Sequence, residues 1–77
     1  SYDFRKLNEA EKYHSKFKDL YRQGLNIDQN YVGRAYSIAA VYYFRLGNKR
    51  KALQLINEGL SIAPGNYELQ TRKRMIN

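Results

Sequence analysis

The chain has 77 residues, enough for one small domain with a thin core. It contains no cysteine, which excludes disulfides, thiolate zinc sites, iron–sulfur clusters and cysteine nucleophiles. The formal net charge of +7 favours acidic partners, and no apolar run approaches the roughly 18 residues that cross a bilayer.

The apolar residues Phe4, Leu7, Ala10, Tyr13, Phe17, Leu20 and Tyr21 recur at steps of three and four, the period of one helix face. They predict a first helix over about 3–26, capped by Asp3. Gly24 and the stretch "NIDQN" weaken its end. A second helix is expected to begin near Asn30, run through "YVGRAYSIAAVYYFRL" and stop at Gly47, a residue that tolerates the left-handed conformation of a helix end. Asn48 then caps a third helix at once, and so short a connection requires an antiparallel hairpin.

The third helix is expected to reach about Ile62, where Pro64-Gly65 breaks it. Asn66 caps a fourth, over about 66–76. That helix carries Glu68 in its first turn and Arg72-Lys73-Arg74 later, an order that suits the helix dipole. No alternating pattern competes anywhere, so the fold class is all-α. The chain opens at Ser1 and closes at Asn77 inside a helical pattern, and it is expected to be a piece of a larger protein.

The sequence repeats itself. Gly24, Leu25 and Ile27 match Gly59, Leu60 and Ile62, and Asn30-Tyr31 matches Asn66-Tyr67. Phe17, Leu20 and Tyr21 then correspond to Ala52, Leu55 and Ile56. The first helix thus reads as the second half of an earlier unit, and the fourth as the first half of a later one.

Tyr36, Ala39-Ala40, Tyr43 and Gly47, followed by Ala52, Ile56, Gly59 and Pro64, are spaced without a gap between Gly33 and Asn66. In this the chain resembles the tetratricopeptide repeat, a helical hairpin of about 34 residues. Three positions depart from the family pattern: Tyr36 stands in place of tryptophan, Ala40 where glycine is common and Lys49 where an aromatic is frequent. The resemblance implies one well-defined hairpin over about 33–63 with flanking helices, the whole of 1–77 forming a single domain. Ala40 and Ala52 would let the two helices of the hairpin approach closely, and Gly59 would let the following helix pack.

No catalytic constellation is visible, so enzymatic activity is not expected, nor is a cofactor. The only histidine, His14, reads as a surface residue. Glu9 and Glu11 lie two apart and do not share a helix face. No metal-ligand spacing occurs, and the glycines are too scattered for a phosphate loop.

The resemblance implies that the first helix of each repeat lines a groove for a peptide. Here that face holds Arg34, Ser37, Ile38, Val41, Phe44 and Arg45, and the fourth helix adds Glu68, Thr71, Arg72 and Met75. Val41 and Phe44 offer an apolar floor, and the arginines offer forks for carboxylates. The family's site for the carboxylate tail of chaperones needs lysine, asparagine and arginine side chains over several repeats. Ser37, Ile38 and Val41 stand in the corresponding places, so that ligand is not expected.

The expected function is a non-catalytic protein–protein interaction module taking a protein or peptide partner, acidic by preference. One alternative is binding of nucleic acid or another anionic surface, favoured by the charge. No RNA-binding fingerprint supports the nucleic-acid form. Another is pairing of two copies through the first or fourth helix.

Overall fold

The computed structural model describes residues 4–77 and shows, among them, four α-helices and no strand. They are α1 (Phe4–Arg22), α2 (Gln29–Arg45), α3 (Lys49–Ile62) and α4 (Tyr67–Ile76). The cap expected at Asp3 and the core place expected for the Phe4 side chain lie outside what is described. Among the described residues no helix is long and apolar enough to cross a membrane.

Local chemistry sets the helix ends. α1 stops at Arg22, earlier than the expected 26, because Gly24 takes a φ of +76° and cannot continue the helix. α2 starts at Gln29 because the cap is Asp28, two residues earlier than the Asn30 expected. The Asp28 carboxylate accepts from the Asn30 backbone N–H at 2.6 Å. An anion at the positive end of a helix is a stronger acceptor than a neutral amide. Gly47, with φ +86°, ends α2 as expected, and the Asn48 side chain accepts from Lys51 N–H at 3.1 Å to start α3. Asn66 caps α4 by accepting from Leu69 N–H at 3.1 Å.

α2 is the hub and packs against each of the other three helices. One large residue from each helix meets at the centre: Phe17, Tyr36, Ile56 and Leu69 are fully buried. Tyr36 makes T-shaped ring contacts with Phe17 at a separation of 5.4 Å and with His14 at 4.5 Å. Ala35, Ala39 and Ala40 on α2 and Ala52 on α3 are buried to 1% exposure or less, so the hairpin closes over methyl groups. Gly59 is small of necessity. A Cβ there would lie 2.8 Å from Leu69 Cδ1 and 2.9 Å from Tyr36 Cγ.

The apolar face of α1 is only partly spent on this core. Ala10 and Phe17 are buried, while Tyr13 and Tyr21 keep 39% and 50% of their surface in solvent. Tyr13 packs with its ring tilted against Tyr31 of α2 at 5.0 Å, and Lys18 reaches Glu58 of α3 at 3.5 Å.

Candidate groove on the face of α2 and α4

α2 and α4 lie side by side and are tied at their starts by Asn66. Besides capping α4, its amide donates to the Gln29 carbonyl at 2.7 Å. The Gly33 backbone lies directly beneath that amide. A Cβ on Gly33 would stand 2.5 Å from Asn66 Oδ1, so only glycine leaves room for this cross-helix bond.

Directly beyond this tie the helices open into a groove of about 280 Å³. Its lining includes Arg34, Ser37, Ile38, Val41, Arg45, Glu68 and Arg72. Of the residues expected on α2, all but Phe44 are brought together here, and from α4 so are Glu68 and Arg72. The Phe44 side chain sits in the last turn of α2, 42% exposed, and does not line the groove. Tyr42 lines it instead. From α4, neither Thr71 nor Met75 is part of the lining.

The residues differ in what they can do. Ile38 and Val41 form an apolar floor. Ser37 is 1% exposed and meets no solvent; its hydroxyl accepts from Arg72 Nε at 3.2 Å. Ser37 thus orients an arginine rather than offering itself. Arg72 Nη1 approaches Met75 Sδ at 3.6 Å, which fixes the guanidinium along the α4 edge. Arg34 Nε stands 4.0 Å from Glu68 Oε1, a solvent-screened pair that partly neutralises one side of the rim. Arg45 lies over the Tyr42 ring at 5.8 Å.

Two further depressions, of about 390 and 510 Å³, run between α1 and α2. Ile38 lines both of them as well as the groove, and Tyr13 lines both. The apolar ground therefore extends sideways over Tyr13, Ile38 and Tyr42. Sequence reasoning assigned Tyr13 to the core and left Tyr42 out. The signal that could have found them is a cluster of tyrosines on adjacent helix faces, since a tyrosine carries a polar tip that suits a half-exposed position.

His14 is not the surface residue expected. Its Nε2 is buried without a hydrogen-bond partner, and the ring is clamped against Tyr36. Burial lowers its pKa below 6.5, and Lys18 and Lys51 push the same way, against Glu58 and Glu11. Tyr43 donates a short hydrogen bond to the Glu11 carboxylate, and that bond together with burial pushes its phenol up to about 12. Among the described residues no three His, Asp or Glu side chains gather as a metal ion would need.

Comparison with protein-family models, curated proteins and solved structures gives no match.

Proposed function

We propose that this chain is a non-catalytic interaction module of tetratricopeptide-repeat type that holds a partner segment in the α2–α4 groove. One observation carries the reading: residues far apart in sequence, Arg34 to Arg45 on α2 and Glu68 to Arg72 on α4, converge on an open apolar groove with cationic edges. The reading is also supported by the packing order, in which α2 meets α3 within the hairpin and α4 alongside it.

A groove of about 280 Å³ holds one or two side chains, not a whole small-molecule ligand. A peptide would lay an apolar side chain on Ile38 and Val41 and set a carboxylate against Arg72 or Arg45. Arg72 is held in advance by Ser37, so less rotamer freedom is lost when it binds.

The test is selection from a displayed peptide library on the folded domain, followed by titration of the selected peptide against Val41→Ala and Arg72→Ala. Truncating an anchor of this kind costs more than about 1 kcal/mol, or roughly tenfold in affinity. Loss in both variants with unchanged helicity supports the groove; binding that is indifferent to both removes it.

A further inference from the structure

From Gln29 to Asn57 the chain contains no aspartate or glutamate, while it carries Arg34, Arg45, Lys49, Arg50 and Lys51. Four of these five cations crowd the tip where α2 turns into α3, in the stretch "FRLGNKRK" from Phe44 to Lys51. On the same tip Phe44 and Leu46 stand 42% and 39% exposed. Arg45, Lys49 and Arg50 are exposed beside them, and Lys51 leans over the Tyr43 ring at 5.8 Å.

The arrangement works against the stability of the helix it opens. The first turn of α3 has no acidic residue and three basic ones, although the unpaired N–H groups there already give it positive character. An ordinary surface turn would place a carboxylate in that position. Other carboxylates lie elsewhere: Asp28 and Glu68 stand at the starts of α2 and α4, and Asp19 and Glu58 in the C-terminal parts of α1 and α3. Antiparallel packing sets these at the opposite end of the bundle from the tip, as the pairs Phe17–Tyr31 and Lys18–Glu58 show. Glu9 and Glu11, in the N-terminal half of α1, lie on the tip's side: Glu11 accepts from the Tyr43 hydroxyl, and Glu9 lines the depression between α1 and α2 together with Lys6 and Tyr42.

We propose that the α2–α3 turn docks on an anionic lipid surface, with Phe44 and Leu46 entering the headgroup boundary and Arg45, Lys49 and Arg50 meeting the phosphate and carboxylate layer. A helix-turn tip with two exposed apolar side chains among exposed cations matches a flat, negatively charged, apolar-cored surface. It offers neither a groove for a nucleic-acid backbone nor a row of rings for successive bases. The inference does not rest on the groove: Arg45 is common to both, but Phe44, Leu46, Lys49 and Arg50 lie outside the groove lining.

The chain contains no tryptophan, so Phe44→Trp places a single reporter on the tip. With vesicles of equal parts phosphatidylcholine and phosphatidylserine, its fluorescence is expected to shift to the blue and the protein to co-sediment. With phosphatidylcholine alone neither should occur. The double substitution Lys49→Gln/Arg50→Gln should weaken binding roughly fivefold per charge, and raised salt should weaken it further. Arg72→Ala, in the groove, should leave it unchanged.

Circular dichroism confirms that each variant keeps its helices. Three outcomes would overturn the proposal: no blue shift with anionic vesicles; an equal loss when Lys12 and Lys16 are neutralised instead, which would assign binding to net charge alone; or preferential binding of a single-stranded oligonucleotide through the same tip.

Discussion

Two glycines decide how closely the helices approach. Gly59 faces the rigid Cβ and Cγ of Tyr36 as well as the flexible end of Leu69, so Gly59→Ala must displace a buried ring. Overpacking of this kind costs about 1–3 kcal/mol and is partly offset by roughly 1 kcal/mol of helix propensity. A net loss of about 1–2 kcal/mol is expected, read as a lower urea midpoint with an unchanged slope.

Gly33 makes a sharper case, because the obstacle to its Cβ is a single amide, that of Asn66. Gly33→Ala and Asn66→Ala should each destabilise, but the double variant should lose less than the sum by about 1 kcal/mol, since removing the amide makes room for the methyl. Strict additivity in a double-mutant cycle would show that the two do not contact.

The residue scale also holds the chain's single histidine. Burial holds His14 below its ordinary pKa of 6.5, so the unfolded chain takes up the proton more readily than the folded one. Stability should therefore be complete above pH 6.5 and fall as the pH drops from there through the lowered folded value. NMR titration of the single histidine checks the direction, and a value at or above 6.5 would contradict the packing against Tyr36.

At the scale of elements, the boundaries written in turn chemistry were legible: Gly47-Asn48 and Pro64-Gly65-Asn66 set the ends of α2, α3 and α4 as expected. The α1–α2 connection was not, because Asp28, Asn30 and Gly24 all compete there. Only the folded geometry shows that Asp28 takes the cap and that Gly24 adopts positive φ. Caps also differ in weight by what else they touch. Asn48 satisfies the start of α3 alone, whereas Asn66 caps α4 and bonds Gln29 across the helix pair. Asn48→Ala should cost about 1 kcal/mol and Asn66→Ala about 2–3 kcal/mol, measured by chemical denaturation. Equal costs would mean that the bond to Gln29 contributes nothing.

At the scale of the whole molecule, the expected all-α fold is present, and helical period explains why. Steps of three and four placed Arg34, Ile38, Val41 and Arg45 on one stripe of α2, and the structure keeps that stripe together. The same arithmetic admitted Phe44, because a helix face read from spacing is wide enough to include a residue that the neighbouring helix leaves outside. Nor could spacing foresee that Ser37 would be buried and spent on Arg72, since that depends on where α4 lies.

The groove reading thus makes an asymmetric prediction. Val41→Ala and Arg72→Ala should each weaken a selected peptide roughly tenfold, and Phe44→Ala should not. The most direct test of the groove is an amide chemical-shift map of the domain with that peptide bound. The proposed function predicts perturbations running along Arg34, Ile38, Val41 and Arg45 of α2 and across to Glu68 and Arg72 of α4. Perturbations confined to the Gly47 tip or to the outer face of α1 would contradict it.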